Sequence, residues 1–149
     1  MADSIRIHAR ILSRILEHAK REPLKECCGL LAGHDDVIDT IFPAKNDLNS
    51  AAVYEIAPKE LFHLFREMRE QGLTHLGQYH SHLHTENFPS PTDVAQAGYP
   101  DHAYFIVTLL PDSPMPVRAF SIRDTHVEEL EILSVQSVKE ESQHRGHGE

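Results

Sequence analysis

The chain has 149 residues, of which 40% are hydrophobic and 25% are charged, and its formal net charge at pH 7 is −9. This length is sufficient for one domain with its own hydrophobic core, without disulfides or a structural metal to hold the fold. The excess of acidic residues argues against nucleic acid or an anionic membrane as the main partner, and no apolar run is long enough to span a bilayer.

Two features of the sequence predict a cytoplasmic protein. The first residues, M-A-D-S-I-R-I-H, lack the basic-then-apolar pattern of a secretory signal. The only cysteines, Cys27 and Cys28, are adjacent, which is poor geometry for an internal disulfide. A reducing compartment is therefore the simplest assumption.

The first third of the chain predicts a strand, a helix and a hairpin. Residues 4–8 alternate Ile with polar residues, as a half-buried strand does. Apolar residues then recur with helical spacing until Pro23, which follows a basic pair typical of a helix C-terminus. The stripe of this helix comprises Ile11, Leu12, Ile15, Leu16 and Ala19. Residues 27–33, C-C-G-L-L-A-G, indicate a strand buried on both faces, and residues 37–42 form its return strand.

A second helix is predicted after a polar loop and a brief strand at residues 53–56. Pro58 suits the first helical position, and Gly72 ends the helix. Its predicted apolar stripe is formed by Leu61, Phe62, Phe65 and Met68.

The second half of the chain is rich in strands. We predict a short helix at residues 91–97 and strands at residues 73–80, 103–110, 117–123 and 127–135. Together the elements predict the α/β class, with a mixed β-sheet flanked by two long helices and a short helix after the histidine motif. We expect one domain over residues 1–138 and a disordered polar tail at residues 139–149, because the tail has no large apolar residue.

The segment H-S-H-L-H-T-E-N-F-P-S-P-T-D, residues 80–93, contains the best candidates for metal ligands. At the end of a strand, His80 and His82 project from the same face and can reach one ion. Two imidazoles and one carboxylate, from Asp93, are the ligand set of a catalytic zinc whose fourth position is left to water. A structural role competes, because Ser90 and Asp93 also fit the N-cap and the third position of a helix. The two roles are compatible, since a capping Asp is held in the fixed orientation that a ligand requires.

Two separated motifs resemble those of the JAMM (MPN+) metalloproteases, also called the Mov34/MPN/PAD-1 family. The first is H-S-H-x7-S-x2-D at residues 80–93, and the second is P-x-x-E-C-C-G-L-L-A-G at residues 23–33. The predicted order of elements over residues 5–135 also agrees. The resemblance implies the MPN/JAB fold, which has a cytidine-deaminase-like architecture, and the compact chain is similar to the small prokaryotic members.

The resemblance also implies a role for each residue of the site. His80, His82 and Asp93 would hold one Zn²⁺ per chain, and the zinc would lower the pKa of its water toward neutrality. Glu26 would be the general base that takes a proton from this water and passes it to the departing amine. Ser90 would steady the oxyanion of the tetrahedral intermediate.

Neighbouring residues receive supporting or structural roles. Ser81 lies on the opposite strand face from the two histidines, so we expect it to support the ligands rather than to take part in the chemistry. His84 extends the histidine alternation, but the family pattern does not use that position. Packing in an apolar strand is the better interpretation of Cys27 and Cys28. Many members of the family carry proline where this chain has Leu83, which affects the shape of the loop rather than the ligands.

The predicted function is hydrolysis of a peptide or isopeptide bond after the C-terminal glycine of a ubiquitin-like or sulfur-carrier (ThiS/MoaD-type) protein. The resemblance implies this partner, with a C-terminal Gly-Gly tail that lies along a strand edge near the zinc. An alternative is a non-catalytic MPN-type interaction scaffold, in which the motif is lost; the intact motif argues against it. A zinc-dependent deaminase would need a Cys-x-x-Cys ligand pair, which this chain lacks.

Overall fold

The computed structural model describes residues 3–136. They form seven strands and three helices in this order: β1 (Ser4–His8), α1 (Ala9–Arg21), β2 (Cys28–His34), β3 (Val37–Ala44), α2 (Pro58–Glu70), β4 (Thr74–His82), α3 (Pro91–Gln96), β5 (Ala103–Thr108), β6 (Val117–Arg123) and β7 (His126–Val135). The predicted domain limit at residue 138 and the predicted tail at 139–149 lie outside the described residues. No helix within residues 3–136 is long and apolar enough to cross a membrane.

The seven strands form one mixed sheet that closes into a barrel in the order β1-β3-β2-β4-β5-β6-β7. Strand β1 closes it, because this strand pairs in parallel with both β3 and β7. Strands β4 and β5 are also parallel, and the remaining neighbours are antiparallel. The mixed sheet was predicted, but its closure was not, since the pairing of the first strand with the last is a contact between opposite ends of the chain.

Helix α1 fills one side of the sheet. Its buried residues Ile11, Ile15 and Ala19 pack with alternate residues of the strands, among them Leu31 of β2 and Tyr79 of β4. Burial of such apolar side chains stabilises the fold by about 1.5–3 kcal/mol for each large residue. This core holds β2 and β4, the two strands that carry the candidate site.

Helix α2 covers the other face of β2. Leu64 and Met68 of the helix pack with Leu30 and Ala32 of the strand. Because side chains alternate along a strand, Leu31 points to α1 while its neighbours point to α2. Strand β2 is therefore buried on both faces, as its continuous apolar sequence predicts.

Three details of the prediction are wrong. The two main helices have 13 residues each, which is an ordinary length rather than a long one. Phe62 is 64% exposed, because it lies about 100° around the helix from Leu61 and so leaves the stripe that Leu64, Phe65 and Met68 complete. Residues 53–56 form no strand. Their backbone is hydrogen-bonded by the side chain of Asn46, where a strand would be hydrogen-bonded by a neighbouring strand.

Candidate active site

Three side chains of the histidine motif converge at the end of β4. The Nε2 atoms of His80 and His82 lie 3.3 Å apart, and Asp93 Oδ2 lies 3.2 Å from the first and 3.1 Å from the second. Both histidines are buried in β4, and Asp93 comes from the first turn of α3. Among residues 3–136 these three residues alone form a group that could hold a metal ion.

The donor set of this group fits a tetrahedral cation. The Nδ1 atom of His82 lies 2.7 Å from the backbone oxygen of Glu86 and donates its hydrogen there. In the neutral form of this imidazole the lone pair is then on Nε2, which faces His80 and Asp93. Ligand atoms about 2.0–2.1 Å from a tetrahedral zinc are about 3.3 Å apart, close to the three separations in this structure. A cavity of about 20 Å³ beside His80 and Asp93 leaves room for one water.

Asp93 is held in place by the start of α3. Its Oδ2 atom accepts a hydrogen bond from the backbone N–H of Ser90 at 2.9 Å, and the Ser90 hydroxyl accepts one from the backbone N–H of Asp93 at 3.0 Å. This reciprocal pair is the predicted capping box. Burial opposes ionisation of Asp93, but hydrogen bonds from His80 and His82 outweigh burial and hold its pKa well below the usual range. The carboxylate is therefore charged at neutral pH, as a ligand must be.

Glu26 lies just before β2 and is only 4% exposed. Its backbone is fixed on both sides, since its N–H donates to Ser50 O at 2.9 Å and its carbonyl accepts from Asn46 Nδ2 at 3.1 Å. Its Oε1 atom has no hydrogen-bond partner within residues 3–136. Burial raises the pKa of Glu26 to about 7, while His82 lowers it and Asp93 raises it. The carboxyl group thus lies close enough to the ligand group to interact with it electrostatically.

Ser81 links the segment of Glu26 to β4, the strand that carries His80 and His82. Its hydroxyl accepts a hydrogen bond of 2.8 Å from the backbone N–H of Cys27, and its own N–H donates to Cys27 O at 3.1 Å. Because Cys27 follows Glu26 directly, these bonds fix the position of Glu26 relative to His80 and His82, which flank Ser81.

Two residues near the site carried no signal in the sequence. Tyr54 stacks on His80, with ring centroids 4.7 Å apart and planes 24° apart. Asn46 is 2% exposed and bonds to Glu26, to Val53 and to Glu55 through its side-chain amide. Asn46 belongs to the polar loop and Tyr54 to the segment that we predicted as a brief strand. Neither residue is part of a motif, so their contacts with the site become visible only in the folded structure.

The residues that we set aside lie outside the ligand group. His84 is exposed and contributes no atom to the group. Cys27 and Cys28 are free and buried. Burial raises the pKa of the Cys27 thiol to about 11 and that of the Cys28 thiol to about 12, so both are protonated at neutral pH and serve packing.

Comparison with known proteins identifies the family. The family model Prok-JAB, described as prokaryotic homologs of the JAB domain, matches residues 8–123. The chain therefore belongs to the small prokaryotic branch of the JAMM/MPN+ proteins, as its two motifs predict, and it is a hydrolase.

Individual relatives agree with this assignment. The CysO-cysteine peptidase of Mycobacterium tuberculosis is 32% identical over 132 residues, which are 87% of this chain and 90% of that protein. The desampylase of Haloferax volcanii is 34% identical over 116 residues, 76% of this chain and 78% of that protein. The solution structure of a protein from Desulfitobacterium hafniense superimposes with a TM-score of 0.79 at 30% identity and covers 91% of this chain and 96% of that one.

Proposed function

We propose that this protein is a zinc-dependent peptidase or isopeptidase that cleaves the bond after the C-terminal glycine of a ubiquitin-like or sulfur-carrier protein of the ThiS/MoaD type. One observation carries the proposal. Three lone-pair atoms, from His80, His82 and Asp93, converge at 3.1–3.3 Å, and a buried carboxyl group with an unpartnered oxygen, Glu26, lies close by.

The proposed cofactor is one Zn²⁺ per chain. His80 Nε2, His82 Nε2 and Asp93 Oδ2 would hold it, and the nitrogen and carboxylate donors suit this ion. Bound there, zinc supplies a Lewis acid that acidifies water and polarises a carbonyl group.

Glu26 acts as general base and then as general acid. Its pKa of about 7 is close to physiological pH, where a carboxyl group can both accept and release a proton. Its Oε1 atom has no other hydrogen bond within the described chain, so this oxygen is available to take a proton from the attacking water. The same carboxyl group then passes the proton to the departing amine.

Ser90 stabilises the oxyanion. Its oxygen already accepts the N–H of Asp93, but a hydroxyl has one hydrogen to donate as well as two lone pairs. That hydrogen is directed to the negative charge that develops on the carbonyl oxygen as the tetrahedral intermediate forms.

The proposed substrate class rests on the relatives and on a backbone edge beside the site. One relative is named for a peptidase that acts on CysO-cysteine and the other for desampylation. In this chain, Val53 and Glu55 bond to residues 46 and 47, whereas the backbone groups of Tyr54 and Ile56 have no partner within residues 3–136. This alternation is typical of an extended segment with one free edge. An extended Gly-Gly tail can pair with that edge and reach His80, on which Tyr54 stacks.

Incubation with candidate carriers tests the proposal. Purified ThiS/MoaD-type carriers, each extended beyond Gly-Gly by one amino acid or by a lysine-linked peptide, are mixed with the zinc-loaded protein and analysed by mass spectrometry. We expect cleavage directly after the second glycine and its loss on treatment with a chelator. Intact carriers under all conditions, with zinc bound, would instead favour the non-catalytic scaffold. A cytoplasmic location suits the reduced cysteines and stays a prediction.

A further inference from the structure

A groove leads away from the candidate metal centre along the face of the sheet that α2 covers. It has a volume of about 270 Å³ and is lined by Leu30, Tyr54, Ile56, Leu61, Gln78 and Tyr99, among others. Tyr54 belongs to both features, because its ring stacks on His80. The groove therefore adjoins the candidate site.

Gln78 is the one buried polar side chain among the groove residues named above. It is 6% exposed, and its Nε2 atom has no hydrogen-bond partner within residues 3–136. Folded proteins seldom leave a buried donor unpaired, and such a group calls for an explanation. One explanation is that a ligand in the groove supplies the missing hydrogen-bond acceptor, since Gln78 lines the groove.

The position of Gln78 is fixed by its neighbours. Its backbone pairs with Leu30 of β2 and with Tyr104 of β5, in the middle of the sheet. Its Oε1 atom lies 3.5 Å from His102 Nδ1, and the His102 ring stacks on Tyr99 with centroids 4.6 Å apart. The oxygen end of the amide thus faces His102, and the Nε2 end stays without a partner within residues 3–136.

We propose that Gln78 positions the substrate by donating from Nε2 to a main-chain carbonyl of the tail, about two residues before the scissile bond. This inference rests on the proposed function and assigns a residue that reads the tail. Gln78 and His80 are two positions apart on β4, so they share a face and are about 6.6 Å apart along the strand. An extended tail advances about 3.3 Å per residue, which places Gln78 opposite the second residue from the bond.

An extended peptide suits this groove better than a compact apolar ligand. Tyr54 and Ile56 line it, and their backbone groups bond to nothing else in residues 3–136. Gln78 lines it too, and its Nε2 atom has no partner in the same residues. A peptide main chain offers donors and acceptors to all of these groups, whereas an apolar ligand satisfies none of them.

A binding cycle tests this role without catalysis. The probe is a fluorescein-labelled ThiS/MoaD-type carrier that ends in Gly-Gly followed by one amino acid. A second carrier is identical except that a CH₂ group replaces the carbonyl two residues before the scissile bond. Affinities are measured by anisotropy on zinc-loaded Glu26→Gln protein, with and without Gln78→Met. Gln71→Met, which removes an exposed amide outside the groove, is the matched control.

The expected result is a coupling between Gln78 and that carbonyl. Loss of the carbonyl should raise Kd about 10-fold in the presence of Gln78 and less than about 2-fold in Gln78→Met. Gln71→Met should show the same loss of affinity as the protein that keeps both Gln71 and Gln78. An equal loss in both proteins, or no saturable binding of either carrier, overturns the inference. If Gln78→Met lowers the midpoint of thermal unfolding, the same affinities are measured with Gln78→Glu, which keeps the size of the side chain and lacks the N–H₂ donor.

Cleavage measured in parallel separates this inference from the proposed function. The protein with Glu26 intact is incubated with the carrier that has the normal carbonyl, and the masses of the products are measured by mass spectrometry. Coupling without cleavage contradicts the proposed reaction and leaves the role of Gln78 standing. Cleavage without coupling contradicts the role of Gln78 alone.

Discussion

Ser90 and Asp93 each satisfy a backbone N–H of the other. The Ser90 hydroxyl accepts from Asp93 N at 3.0 Å, and Asp93 Oδ2 accepts from Ser90 N at 2.9 Å. The same Oδ2 atom lies 3.1 Å from His82 Nε2 and 3.2 Å from His80 Nε2. One carboxylate oxygen therefore caps a helix and also lies beside both histidines, so the capping role of this motif is compatible with the proposed metal binding.

We expect Ser90→Ala to weaken stability, metal binding and hydrolysis together. Loss of the cap costs about 1 kcal/mol of unfolding free energy, and loss of an outer support typically lowers metal affinity about 10-fold. Loss of the oxyanion donor should reduce kcat by about 100-fold or more. Thermal unfolding, zinc competition and carrier cleavage measure the three effects. Ser90→Thr, which keeps the hydroxyl, should retain most of each; equal kcat in Ser90→Ala and the unsubstituted protein would exclude the oxyanion role.

Ser81→Ala should displace Glu26 while the metal stays bound. The change leaves the buried N–H of Cys27 without its acceptor at 2.8 Å, at a cost of about 1–3 kcal/mol in unfolding free energy. Because Cys27 follows Glu26, we expect kcat to fall and zinc content to remain that of the unsubstituted protein. Ser134→Ala, on the exposed side of β7, is the control and should change neither. Loss of zinc in Ser81→Ala would show that Ser81 supports the ligands directly instead.

The pKa of Glu26 predicts a pH-dependent stability of the metal-free protein. Burial raises this pKa from 4.5 to about 7. Between these values the unfolded chain loses the proton and the folded protein keeps it, so the folded protein loses stability as pH rises through this window. Glu26→Gln lacks this charge. We therefore compare the unfolding free energy of Glu26→Gln with that of the unsubstituted protein. The difference, variant minus unsubstituted protein, should increase by up to about 3 kcal/mol between pH 4.5 and 7.

Urea unfolding of both proteins after chelator treatment measures this difference at several pH values. Comparing the two proteins removes contributions that are common to them, such as those of groups far from Glu26. A difference that stays constant from pH 4.5 to 8 would mean that the Glu26 carboxyl group ionises in the folded protein as it does in water.

Local patterns in the sequence predict the elements that hold the site. The helical spacing before Pro23, the apolar run of residues 27–33 and the S-P-T-D start of α3 each act within a few residues, and each element is present where predicted. Barrel closure was missed because it depends on the pairing of β1 with β7, which no local pattern encodes.

The predicted site residues were found through motifs, and their neighbours were not. Glu26 alone resembles any charged loop residue, and its burial becomes visible only when residues 45–50 fold over it through Asn46. Tyr54 and Gln78 belong to no motif of the sequence. Their contacts with the site arise from the stacking on His80 and from the alternation along β4.

In the proposed reaction, His80, His82 and Asp93 hold zinc while Glu26 performs the proton transfer. The most direct measurement is zinc content together with carrier cleavage for three variants: Glu26→Gln, His80→Ala and His84→Ala. We expect Glu26→Gln to bind one zinc without cleaving, His80→Ala to lose both zinc and cleavage, and His84→Ala to keep both. Full cleavage by Glu26→Gln would exclude Glu26 as the proton-transfer group, and stoichiometric zinc in His80→Ala would exclude His80 as a zinc ligand.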